Sequence, residues 1–129
     1  MPQLCLIVED NFLIAMTMQD LMAELGWETI PAQNVDEAMH AFADQRKVDL
    51  LITDIRIPGG DGITLAKLFK SLQPSLQVIF ATGCVLEELE QARSTGFPVL
   101  TKPFDLTMLE TALREVARSS SEARAATPA

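Results

Sequence analysis

Three short apolar runs in this chain end on charged residues. Leu4-Cys5-Leu6-Ile7-Val8 runs into Glu9-Asp10, Leu50-Leu51-Ile52-Thr53 into Asp54, and Val99-Leu100-Thr101 into Lys102. Runs this short, with no polar alternation, read as strands buried on both faces, the pattern of a parallel sheet covered by helices. The charged residue that ends each run sits where the strand runs out. In an open parallel sheet it falls at the carboxyl edge, where the functional crevice lies. Three acids and one lysine are therefore expected to converge there, with Asp54 at the centre.

Helical signals alternate with these runs. A first stripe, Ile14, Met18, Leu21 and Leu25, is stopped by Gly26. Trp27 to Pro31 is a weaker strand, ended by its proline. Asn34 reads as an N-cap with Glu37 three residues on, and the helix it opens is expected to bury Val35, Ala38, Met39 and Phe42. After the turn cluster Pro58-Gly59-Gly60-Asp61-Gly62, a third stripe comprises Leu65, Leu68, Phe69 and Leu72. Leu76 to Ala81 is the fourth strand. The short fourth helix, Leu86 to Arg93, has only Leu86, Leu89 and Ala92 to bury and is closed by Gly96. The last helix shows Leu109, Ala112, Leu113, Val116 and Ala117.

One domain over residues 1–118 is expected, with 119–129 a disordered polar tail. Its fold class is α/β, a flavodoxin-like (βα)5 doubly wound parallel sheet of strand order 2-1-3-4-5. That order sets the ends of the first and third strands side by side, so Glu9, Asp10 and Asp54 share one pocket.

Charge narrows the chemistry. A net charge of −8 leaves nothing to neutralise a nucleic-acid backbone, and no apolar run approaches the roughly 20 residues of a membrane span. Met1-Pro2-Gln3 lacks the basic start of a signal peptide, and Cys5 and Cys84 read as free thiols, so a cytoplasmic protein is expected. Three neighbouring carboxylates repel one another unless a cation neutralises them or one stays protonated. Oxygen-only ligands at a partly open site suit Mg2+. Asp54 could then offer an oxygen to an incoming phosphoryl group, with Lys102 balancing charge on the phosphoryl oxygens. The plainer alternative, that Asp10 or Asn11 simply caps the first helix, leaves Asp54 and Lys102 together unexplained. No P-loop or dinucleotide fingerprint is present, and His40 reads as a surface residue.

Val8-Glu9-Asp10-Asn11, Asp54-Ile55-Arg56-Ile57-Pro58 with Asp61-Gly62, Phe80-Ala81-Thr82-Gly83 and Lys102-Pro103-Phe104 together resemble the receiver domain of bacterial two-component response regulators, over residues 3–118. The resemblance implies that Asp54 accepts a phosphoryl group from a phosphohistidine on a histidine kinase or histidine phosphotransfer protein. It implies Mg2+ held by Asp10 and Asp54, by Glu9 mostly through water, and by the Arg56 backbone carbonyl. Thr82 would bond the phosphoryl oxygen, Lys102 would pair with it, and Lys102-Pro103 would be a cis peptide bond.

Two positions depart from the family. Val99 stands where the family usually has a Tyr or Phe ring that turns inward when the threonine moves. Phe80-Ala81-Thr82-Gly83 also partly resembles a stand-alone subgroup with a Phe-x-Phe-Ala-Thr-Gly-x-Tyr signature, but Val78 and Val85 replace its first Phe and its Tyr. Signalling is therefore expected to run through ordering of the fourth helix. In the family the side chains two beyond the aspartate and the threonine, here Arg56 and Cys84, govern how water reaches the phosphoryl group. Arg56 could reach the phosphate, close with an acid of the pocket or lie in solvent.

A stand-alone response regulator is expected, a phosphoacceptor rather than an enzyme. It would act through an unknown downstream protein or as a phosphate sink, and be a monomer or weak dimer. The rival classes are a degenerate receiver serving as a constitutive binding module and a haloacid-dehalogenase-like phosphatase. The phosphatase would need an Asp two residues after its nucleophile, where this chain has Arg56.

Overall fold

The computed structural model describes the backbone of residues 3–45, 47–83 and 86–126, and side chains up to Arg118. Cys84 and Val85, to which the sequence assigned a loop thiol and a missing aromatic, lie outside the described residues. In chain order the elements are β1 (Leu4–Val8), α1 (Phe12–Glu24), β2 (Glu28–Ala32), α2 (Val35–Asp44), β3 (Leu50–Thr53), β4 (Arg56–Ile57), β5 (Gly60–Asp61), α3 (Gly62–Leu72), β6 (Gln77–Thr82), α4 (Leu86–Ser94), β7 (Val99–Thr101) and α5 (Leu106–Ala126). One parallel sheet has the order β2-β1-β3-β6-β7. Counted within the sheet this is 2-1-3-4-5, as expected. β4 and β5 form a separate two-residue antiparallel ribbon.

Strict alternation along the strands divides the core in two. Leu6, Val8, Leu51, Val78 and Phe80 pack with Ala38, Leu65, Ala66, Phe69 and Ala92 of α2, α3 and α4. Cys5, Ile7, Leu50, Ile52, Ile79, Ala81 and Leu100 pack with Met18 and Met22 of α1 and with Leu109, Ala112 and Val116 of α5. Both faces of each inner strand are therefore covered, which is why those strands carry no polar alternation. Burial pushes the Cys5 thiol pKa far up, making it an inert core residue.

Several local expectations shift. β2 does not stop at Pro31 but continues to Ala32, whose carbonyl accepts the Glu9 N–H at 2.9 Å. Pro31 is tolerated because β2 is an edge strand. β6 ends one residue later than expected, so Thr82 belongs to it and is fully buried. Three helices turn differently from their apolar stripes. α2 directs Ala38 inward and leaves Met39 exposed, while Phe42 stacks on Phe69 with ring centroids 4.0 Å apart. α3 buries Leu65, Ala66 and Phe69 and leaves Leu68 and Leu72 at the surface. α4 buries Glu88 with Ala92, and Leu86 is exposed. Ala117, expected in the core, is exposed on α5. Where a disordered tail was expected from Ser119, the backbone of α5 stays helical to Ala126, ending in the helix formers Glu122, Ala123, Arg124, Ala125 and Ala126; residues 127–129 lie outside the described residues.

The turn after β3 holds Asp54 in place. The Gly62 N–H donates to the Ile55 carbonyl at 2.7 Å, and Asp61 caps α3 by accepting the Thr64 N–H at 2.8 Å. Gly62 lies so close that a Cβ there would collide with the Asp54 carbonyl and sit 2.9 Å from Thr53 Oγ1. Gly62→Ala is expected to destabilise the fold by roughly 1–3 kcal/mol through overpacking, read as a lower midpoint in urea denaturation.

Candidate functional site

The ends of β1 and β3 are tied together by the Asp54 N–H, which donates to the Val8 carbonyl at 3.2 Å. Glu9, Asp10 and Asp54 each place a carboxylate oxygen within 4.8 Å of the others. Glu9 is 2% exposed and Asp54 is half-buried, whereas Asp10 faces solvent. The α1 cap is Asn11, whose Oδ1 accepts the Ile14 N–H at 3.1 Å. Capping thus falls to Asn11 and leaves the Asp10 carboxylate to the acidic cluster.

Lys102, one residue past β7, reaches across the sheet end. Its Nζ donates to Asp54 Oδ2 at 2.8 Å and to Glu9 Oε1. The remaining oxygens take backbone donors: Asp54 Oδ1 accepts from the Ile55 N–H at 2.7 Å and Glu9 Oε2 from the Asn11 N–H at 3.1 Å. The Lys102-Pro103 peptide bond is cis, as the resemblance implied.

Burial acts to lower the Lys102 pKa, but its hydrogen bonds and attraction to Asp54 and Glu9 outweigh that and hold it above the ordinary lysine value. Glu9 is displaced upward. Burial dominates, and the Lys102 hydrogen bond, the Asn11 N–H and the lysine charge offset it only in part. One lysine thus faces three carboxylates, and the set is short of positive charge. A small cluster of oxygen donors, one of them open to solvent, fits a hard divalent cation such as Mg2+.

Thr82 and Arg56 are not gathered into that cluster. The Thr82 hydroxyl donates to Glu88 Oε2 at 3.1 Å, and the Arg56 Nε pairs with Glu88 Oε1 at 2.5 Å. Arg56 does not close with an acid of the pocket: its partner Glu88 lies on α4, and the arginine side chain is otherwise mostly exposed. Glu88, which holds both Thr82 and Arg56, is the residue of this region that sequence reasoning missed. Its one signal was its position, one turn before Ala92 on the same helical face. Val99 pairs with Phe80 in the β6–β7 register and is partly buried against the α2–α4 side of the core, so the site has no ring at that place.

Comparison with known proteins identifies the family. The family model described as "Response regulator receiver domain" matches residues 5–114. Sporulation initiation phosphotransferase F of Bacillus subtilis (strain 168) is 29% identical over 112 residues, covering 85% of this chain and 90% of that protein. The DNA-binding transcriptional regulator NtrC of Escherichia coli (strain K12) is 34% identical over 102 residues, 78% of this chain but 22% of that protein. The chain thus spans most of one relative and under a quarter of the other. The signal receiver domain of an HD domain-containing protein from Pseudomonas fluorescens Pf-5 superposes with a TM-score of 0.81 at 28% identity, covering 95% of this chain and 99% of that one.

Lys102→Met removes the counter-charge from the buried Glu9 and half-buried Asp54. In metal-free buffer at neutral pH it should lower stability by about 3 kcal/mol. A carboxyl whose folded pKa is raised contributes stability as pH falls through that value. Protonating Glu9 should therefore shrink the deficit at mildly acidic pH. Added Mg2+ should shrink it at neutral pH. Urea titrations of both proteins under the three conditions check this; a deficit insensitive to pH and Mg2+ counts against the charge-balance account.

Proposed function

Because this chain belongs to the response regulator receiver domain family, we propose that Asp54 is its phosphoacceptor and that Glu9, Asp10, Thr82, Lys102 and the Arg56 backbone carbonyl serve that chemistry. Receiver domains of response regulators interact with histidine kinases or phosphotransfer proteins, and such a partner is the donor we propose here. The observation that carries the proposal is the Asp54 carboxylate at the open end of β3, with Lys102 Nζ 2.8 Å away and two further acids within 4.8 Å.

The transfer balances simply. An Asp54 carboxylate oxygen attacks the phosphorus of a phosphohistidine, an O–P bond forms and the P–N bond breaks. The bonding pair leaves with the imidazole, which takes a proton and is released as neutral histidine. Lys102 already lies against Asp54 Oδ2, and a short shift lets its ammonium follow negative charge onto a phosphoryl oxygen. Mg2+, held by Glu9, Asp10, Asp54 and the Arg56 carbonyl, would when bound supply the remaining positive charge that the phosphoryl oxygens need. Thr82 would donate its hydroxyl to a phosphoryl oxygen once the group is in place. The position two beyond Asp54, where a haloacid-type phosphatase would carry its acid, holds an arginine bound to Glu88. A phosphoacceptor, not a hydrolase, is therefore the function proposed.

A docking face for the donor lies next to Lys102. Leu13, Ile14, Met18, Leu21, Pro103 and Phe104 line an apolar groove of about 440 Å3 that opens beside the lysine. Phe12, Leu13 and Met16 of the same helix, α1, are exposed. Among the described residues no helix is long and apolar enough to cross a membrane. We place the protein in the cytoplasm, where its output would be a contact with a further protein or the draining of phosphoryl groups from a shared donor.

Incubation with acetyl phosphate and Mg2+ should add one phosphoryl mass to the protein. Asp54→Asn or omission of the metal should abolish the gain; wild-type protein that gains no mass would favour the constitutive binding module. Leu13→Glu should slow transfer from a cognate kinase about tenfold, the scale of losing one interface anchor, and leave the acetyl phosphate reaction unchanged. Equal loss in both reactions would mean the groove acts on chemistry rather than docking.

A further inference from the structure

Glu88 is a buried carboxylate on a helix whose other inward residue is an alanine. It is 8% exposed, and both of its oxygens are occupied, Oε1 by the Arg56 Nε and Oε2 by the Thr82 hydroxyl. Neither donor is a neighbour of the other in sequence. Arg56 opens the ribbon after Asp54, and Thr82 closes β6, which lies beside β3. These two residues flank the phosphoacceptor, and one α4 side chain holds both.

We propose that Glu88 is a positioning residue, a latch that holds Thr82 and Arg56 in the unphosphorylated protein and lets go of both when Asp54 is phosphorylated. The latch rests on the phosphoacceptor reading above and supplies the readout that Val99 cannot. A phosphoryl group carries more negative charge than a carboxylate and offers three strong acceptor oxygens, so it outcompetes Glu88 for a hydroxyl and a guanidinium within reach. Losing one partner leaves a buried carboxylate half-satisfied; losing both leaves a buried charge with none. Glu88 must then turn out to solvent, and the first turn of α4 must move with it. The way out exists: Arg56, Glu87, Glu88 and Gln91 line a groove open to solvent between α3 and α4. The rest of α4 offers little resistance, because only Ala92 anchors it fully in the core and Leu86 is already outside. Glu88 thus converts a bond made at the end of β6 into displacement of a surface helix, the kind of two-state element a partner can read.

The test uses the whole chain, beryllofluoride with Mg2+ as the phosphoryl mimic, and amide exchange with NMR. Bound beryllofluoride should lower α4 protection in the wild type. Glu88→Gln keeps size and one acceptor but removes the charge, and should lower α4 protection before any mimic is added. A drop of about tenfold matches the loss of one charge-assisted hydrogen bond. Since binding no longer has to break the latch, affinity for the mimic should rise by the same factor; a merely structural role for Glu88 would leave affinity unchanged or lower it. Arg56→Met alters a mostly exposed side chain and carries the protection test even if Glu88→Gln fails to fold. Mimic binding seen at Asp54 and Lys102 with unchanged α4 protection would overturn the latch alone. So would wild-type protection and affinity in both variants. No binding at all would overturn the phosphoacceptor reading and the latch with it.

Discussion

The bridge from Lys102 to Glu9 and Asp54 is the constraint on which the site depends. It joins the carboxyl ends of β1, β3 and β7, three strands far apart in sequence, through one ammonium group. A buried Glu9 without that charge would pay a desolvation penalty of several kcal/mol. The sheet order is what makes the bridge possible, since β1 and β3 are adjacent and β7 closes the row two places away. The same bridge leaves the site short of positive charge, and that shortage suits it to the cation and the phosphoryl oxygens proposed for it. Stability and chemistry make opposite demands here, and one lysine serves both.

Much of this was legible because a charge is rarely buried in a two-sided core unless it is paired, so an apolar run stops where its charge begins. Glu9, Asp10, Asp54 and Lys102 were placed together from that rule and the strand order alone. The helix faces were less legible, and for a common reason. Met39, Leu68, Leu72 and Leu86 extend apolar stripes beyond what each helix can bury, and a stripe cannot say which of its edges faces in. Glu88 was hidden by the converse assumption, that a glutamate in an acidic helix faces solvent. Its burial depends on two donors supplied by other elements, and no local pattern encodes them. The run of β2 beyond Pro31 was hidden likewise, because an edge position is a property of the whole sheet.

Chemistry and readout separate along the two faces of the sheet. Asp54 follows Leu50 and Ile52, which pack toward α1 and α5, whereas Thr82 follows Val78 and Phe80, which pack toward α2, α3 and α4. The groove proposed for the donor lies beside Lys102 on α1, and the proposed Glu88 latch is on α4. A phosphoryl group on Asp54 that accepts from Thr82 would therefore span the sheet end and link two helical layers that, among the described residues, share no side-chain cluster. A ring at position 99 would offer one way of carrying that link outward; this chain has valine there, packed with Phe80 in the α4-side core. With that route closed by sequence, the remaining carrier must already touch Thr82 and must be costly to leave unpaired. Among the described side chains Glu88 meets both conditions, because burial makes the loss of its partners a free-energy difference large enough to move a weakly anchored helix.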